Sequence, residues 1–100
     1  MKLGILVNTD KCLEDVVGIT KEALLRGHKV GIFAMDAGTR FLEKPEYLDL
    51  CRLNSVQMAF CAHSAEKENV ETGAIPAEIA SGSQYENAVM NNESDIVIVL

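Results

Sequence analysis

Val56-Gln57-Met58-Ala59-Phe60, closed by Cys61 and followed by Ala62-His63-Ser64-Ala65-Glu66-Lys67-Glu68-Asn69, is the stretch that decides the fold. The apolar run reads as a buried strand and the residues after it as a short helix, which puts Cys61 on a strand-to-helix turn. In an open parallel α/β sheet, ligands and chemistry gather outside the carboxyl ends of the strands. A helix N-terminus just beyond a thiol also favours the thiolate, the reactive species. Cysteine is equally at home as a small buried hydrophobe. Position alone leaves both readings open.

Outward from this stretch, strand and helix patterns alternate. Residues 2–8 form a near-continuous apolar run, as in a strand covered on both faces. Thr9 and Asp10 are good N-caps for a helix in which Leu13, Val16, Val17, Thr20 and Leu24 recur at the spacing of one buried face. Arg26-Gly27 suits its end, since glycine adopts the left-handed cap. A second strand covers residues 29–35. A loop follows (Asp36-Ala37-Gly38-Thr39-Arg40), then a short helix entered at Pro45, with Tyr47, Leu48 and Cys51 on its apolar side and Asn54 at its end. The third strand spans residues 55–60, and the helix behind Cys61 ends at Asn69, a residue that tolerates the left-handed conformation.

Residues 71–81 read as loop with one short edge strand near Ile75. Ser83-Gln84-Tyr85-Glu86 matches a capping box and opens a helix to about Asn91, and residues 95–100 form a buried strand. The order β-α-β-α-β-α-(β)-α-β predicts a three-layer α/β/α architecture. Its sheet is mostly parallel, of about five strands, in a single domain over residues 1–100.

Composition narrows the function. With 48% apolar residues the chain can build a core, but five aromatic residues and no tryptophan make it an aliphatic one. Three cysteines, without a CxxC pair, do not make a disulfide framework. Cys12, Cys51, Cys61, His28 and His63 lack the paired spacings of a zinc site, so no metal and no other cofactor is expected. No apolar run approaches the roughly 20 residues that span a bilayer, and residues 1–7 read as a first strand rather than a signal peptide. A cytoplasmic location is expected.

The net charge of −6 sits wholly in residues 53–100, where Lys67 faces seven carboxylates. Nucleic-acid binding needs a basic patch, so direct contact with nucleic acid is not expected. The acidic half is either a solvated face or a dock for a basic partner. Asn8-Thr9-Asp10-Lys11-Cys12 contains no glycine, against a phosphate-binding loop after the first strand.

Three turns leave the carboxyl ends of strands: Asn8-Thr9-Asp10, Asp36-Ala37-Gly38 and Cys61-Ala62-His63. Their convergence would make a site. Beside Cys61, His63 is a base or hydrogen-bond donor, or an exposed helix residue. Cys12, in the first turn of the first helix, is a resolving or relay thiol, or a partly buried helix residue. Asp36 orients a ligand or caps its turn. Gly38 allows a close backbone approach or a positive φ, or is a plain turn glycine. Cys51 falls on an apolar helix side and His28 between a cap and a strand, both structural positions.

Residues 23–38 (Ala-Leu-Leu-Arg-Gly-His-Lys-Val-Gly-Ile-Phe-Ala-Met-Asp-Ala-Gly) resemble the first helix, second strand and following turn of the DsrE/DsrF-like (DsrEFH) sulfur-relay family. Cys61, with the short helix behind it, stands where that family carries its sulfur-accepting cysteine. Ile75-Pro76, Gly82-Ser83 and the closing strand resemble its C-terminal half. The resemblance implies a persulfide carrier, a sulfurtransferase-like protein taking sulfane sulfur on Cys61 from a donor protein or small thiol and handing it to an acceptor. It further implies relays of tRNA thiolation or sulfur oxidation, and homo-oligomers (trimers or hexamers) or hetero-oligomers with related subunits. The alternative is a non-catalytic subunit or small-ligand binder of the same fold. Glu66 and Glu68, where the family often has basic residues, would raise the thiol's pKa if they faced it.

Overall fold

In the computed structural model, which describes all of residues 1–100, the aliphatic runs become five strands: β1 (Lys2–Val7), β2 (Lys29–Ala34), β3 (Val56–Cys61), β4 (Ile79–Gly82) and β5 (Ile96–Val99). They lie in the order β4-β3-β2-β1-β5, every neighbouring pair parallel. Between them come α1 (Leu13–Leu25), a 3-10 segment (Asp36–Glu43), α2 (Pro45–Leu48), a second 3-10 turn (Asp49–Arg52), α3 (Ala62–Lys67) and α4 (Gln84–Glu93). The α/β fold with a five-stranded parallel sheet is as expected.

The strand order explains the layers. From β1 to β4 the chain steps outward one strand at a time, then returns past all of them to place β5 beside β1. Crossovers of one hand put every helix of an outward walk on one face, and a reversal puts the next on the other. Accordingly Ile5, Val7, Val16, Ile32, Phe41, Tyr47, Met58, Phe60 and Ala65 form the main core between the sheet and α1 through α3. The other face is covered by α4 alone, where Phe33, Cys61 and Met90 make a second, small cluster with Leu6, Met35, Ala59 and Val97 at its rim. The Cys61 thiol therefore belongs to the thinly covered face.

Several local expectations shift. α1 is preceded by Cys12, with no side-chain cap, so Thr9 and Asp10 do not cap it. Residues 36–43 are a 3-10 helix rather than a loop, because Thr39, Phe41 and Leu42 are drawn into the core. Asp36 begins that helix at φ +49°, and its carbonyl, not its carboxylate, accepts from Thr39 Oγ1 at 2.8 Å. Leu53, not Asn54, closes the turn after α2. The edge strand forms at Ile79–Gly82 instead of near Ile75. β5 is a second edge rather than a buried strand, with Ile96 and Val99 50% and 59% exposed. Gly27 (φ +81°) and Asn69 (φ +57°) take the left-handed turns, and Ser83 and Glu86 close the capping box.

Two core hydroxyls have no partner: Tyr47 OH and Thr20 Oγ1, both on fully buried side chains. Burial pushes the Tyr47 phenol far above its ordinary range. A buried polar atom left unpaired costs about 1–3 kcal/mol. Tyr47→Phe is therefore expected to raise the urea midpoint, by about 1 kcal/mol of stability. A fall instead would mean that the hydroxyl has a partner, such as an internal water.

Candidate functional site

Cys61 is the last residue of β3 and stands immediately before α3, with extended dihedrals (φ −81°, ψ 112°) that leave the first amides of α3 free. Its side chain is 6% exposed. Burial alone would push the thiol's pKa up, and it is the largest single influence. Four donors act against it: the Ser64 hydroxyl, the backbone N–H groups of Ser64 and His63, and the Gln84 side-chain amide. Together they win, and the thiol is held below the usual cysteine value. These groups form a loose cradle that favours the anion by proximity, for the Cys61 side chain makes no capping hydrogen bond to the first amides of α3.

The cradle is assembled from three strand ends. β3 supplies Cys61 and, through α3, the buried Ser64. β2 supplies Met35, and β4 leads into Ser83 and Gln84 at the start of α4. Gln84 Nε2 lies 3.8 Å from Met35 Sδ, so these two flexible side chains meet beside the thiol. Glu86 fastens this end of α4: its carboxylate accepts the Ser83 N–H, which holds it below the ordinary carboxylate range. That contribution is present above the unfolded carboxyl pKa and is lost as pH falls through the folded one. Acidification therefore loosens the turn that carries Gln84.

The other candidate residues lie elsewhere. The Asn8 and Thr9 N–H groups donate to the Leu100 carbonyl, at 2.9 and 3.4 Å, so the β1 turn closes against the end of β5. Cys12 sits at the start of α1, whose apolar side packs into the main core on the opposite face of the sheet. The His63 ring is exposed, and only its backbone N–H acts on the sulfur. Asp36 is exposed. Gly38 makes the close backbone approach, beneath the Val7 carbonyl. Cys51 is half-buried against the core, its thiol pushed up by burial and by the Glu78 carboxylate.

The acidic helix behind Cys61 has a counterweight that the linear sequence did not reveal. Arg40 reaches Glu68 at 2.9 Å and Asp10 at 3.2 Å, tying the 3-10 segment to α3 and to the β1 turn. Glu66 and Glu68 are not among the groups that shift the Cys61 thiol, in line with the alternative that they do not face it. Ser64 and Gln84 were missed as well. Ser64 follows Cys61 by three residues, the spacing at which a helix-capping contact forms, and that signal was readable. Gln84 would have followed only from placing the edge strand at Ile79–Gly82.

Ser64→Ala and Gln84→Ala each remove a donor that favours the thiolate. Both are expected to slow Cys61 alkylation at neutral pH several-fold and to move its pH profile upward. Unchanged profiles in both would show that the cradle does not set the thiol's acidity.

No family model matches the chain, and no curated protein sequence does. Among solved structures, the ychN protein from E. coli superposes with a TM-score of 0.73 at 12% identity, covering 100% of both chains. At that identity the likeness carries the fold. No helix is long and apolar enough to cross a membrane, and no group of three or more His, Cys, Asp or Glu is placed to hold a metal ion.

Proposed function

We propose that this chain is a single-domain persulfide carrier of the DsrE/DsrF-like kind, which accepts sulfane sulfur on Cys61 and passes it to a partner. The observation that carries the reading is the place of Cys61 at the carboxyl end of β3, directly before α3 and beside Met35, where its surroundings hold the thiol below the ordinary cysteine value. The sequence resemblance and the parallel α/β fold support it.

The chemistry needs little else. The Cys61 thiolate attacks the outer sulfur of a donor persulfide; a new S–S bond forms, the donor's S–S bond breaks, and the donor leaves as a thiolate. Transfer onward repeats the exchange, with the acceptor thiolate attacking the outer sulfur and Cys61 leaving. No net oxidation occurs. A thiol of lowered pKa serves as both attacking and leaving group. The same hydrogen-bond donors suit the negatively charged outer sulfur, and Met35, Phe33 and Met90 keep water from it. Gln84 and Met35 have to swing aside for a donor to enter.

The donor and acceptor are proteins or small thiols inside the cell. Self-association, or assembly with related subunits, is favoured by the apolar side chains left bare on the β5 edge and by Tyr85 on α4. Incubation of the fully reduced protein with a sulfane-sulfur donor tests the reading. Intact mass spectrometry should show one added sulfur, about 32 Da. A folded, reduced sample that gains none would instead support a non-catalytic subunit or ligand-binding domain.

A further inference from the structure

β4 is an edge strand with no strand partner on its outer side; its Ile79 N–H is taken up by the Pro76 carbonyl at 3.0 Å, and its Ala80 and Ser81 are exposed. Its side chains point alternately into two open grooves. Ile79 and Ser81 line one of about 660 Å³, closed at its far side by Val70, Ile75 and Pro76. Ala80 lines another of about 610 Å³ on the opposite face, with Ala59, Val89 and the 72% exposed Tyr85. A bare edge between two partly apolar grooves is the geometry that strand addition uses: main-chain hydrogen bonds bind, and alternate side chains enter alternate grooves.

Charge says what kind of segment fits. Glu66 and Glu71 line the first groove, and it has no basic residue. Glu78, Glu86 and Glu93 line the second, where Lys2 is the one cation, already 3.6 Å from Glu93. Of the seven carboxylates in residues 53–100, five thus line the two grooves; Glu68 is paired with Arg40, and Asp95 accepts the Lys2 backbone N–H. Edge strands are ordinarily protected by lysine or proline against chance pairing. This one carries neither within Ile79–Gly82 and is flanked by negative charge on both sides.

We propose that β4 is the docking edge for an extended segment of a partner protein, rich in lysine or arginine with aliphatic residues between. The segment adds to the sheet as a sixth strand. β4 pairs Gly82 with Cys61, so such a segment ends beside the thiol. The docking does not depend on Cys61 chemistry, and its failure would leave the sulfur reading untouched.

A short fluorescent peptide of lysine and valine, compared with its glutamate-for-lysine counterpart, tests this by anisotropy. The basic peptide should bind at least about tenfold tighter, weaken as salt is raised, and lose most of its affinity to Glu66→Lys/Glu78→Lys. Hydrogen exchange should show new protection at Ile79–Gly82. Equal binding of the two peptides would overturn the proposal, as would protection confined to other strands. So would protection of β4 by self-association without peptide, which would make a second copy the occupant.

Discussion

Cys61→Ala is expected to abolish sulfur loading completely, while Cys12→Ser and Cys51→Ser leave it in place. The three thiols differ in environment rather than in mere exposure. Cys51 is half-buried, and burial together with the Glu78 carboxylate opposes its ionisation. Cys12 precedes α1, whose buried side packs into the main core. Cys61 is the thiol whose surroundings hold it below the ordinary cysteine value. The mass increment of about 32 Da should therefore follow Cys61 alone. An adduct that survives in Cys61→Ala and disappears in Cys12→Ser would move the function to Cys12.

The ionisations carry opposite signs in stability. The folded Cys61 thiol ionises more readily than the unfolded one. Its contribution is thus present above the unfolded thiol pKa and is lost as pH falls through the folded one. For Cys51 the contribution is present below the unfolded pKa and lost as pH rises through the folded value. Around pH 8–9, near the ordinary thiol range, the two therefore work against each other.

Gly38→Ala is expected to be the most damaging single methyl in the molecule. A Cβ at residue 38 would stand 2.7 Å from the Val7 carbonyl carbon and closer still to its oxygen. That oxygen already accepts the Met35 N–H at 2.9 Å, a bond that pins the end of β2 to the end of β1. No flexible side chain can yield, so backbone must move at the carboxyl edge of the sheet. Overpacking of this kind costs about 3 kcal/mol. For a chain of this size that corresponds to a drop of roughly 15 °C in Tm. Urea unfolding of Gly38→Ala and wild type measures it; a loss within about 0.5 kcal/mol would mean that the β1–β2 end tolerates displacement.

The parts of the fold readable in sequence are those set by local periodicity. β1, β2, β3 and the apolar face of α1 follow from unbroken aliphatic runs and from Val16 and Thr20 at helical spacing. The capping box at Ser83 and Glu86 and the left-handed Asn69 are local chemistry, and both formed as read. What escaped depends on distant partners. Residues 36–43 are held helical by burial of Phe41 and Leu42, which no period announces. β4, only four residues long and containing two exposed ones, has too little pattern to place. β5 looks buried by composition, yet the strand order leaves it at an edge.

The site divides in the same way. The position of Cys61 on its turn was legible because a strand and a helix announce themselves on either side. Its chemistry was not, because Gln84 arrives from the next crossover, and Arg40 draws Glu68 aside from 28 residues away. Of the three turns thought to converge, those after β1 and β2 contribute no donor to the sulfur, although Met35 at the end of β2 packs beside it. The donor from outside the β3 turn comes instead from the turn after β4.

The Cys61 thiol ionises more easily in the folded protein than out of it. Alkylation rate against pH, in a Cys12→Ser/Cys51→Ser background, reads that directly. The prediction is a half-maximal rate at lower pH for the folded protein than for the same chain in denaturant, with the difference reduced in Ser64→Ala and Gln84→Ala. A folded profile equal to the denatured one, or above it, would contradict the account.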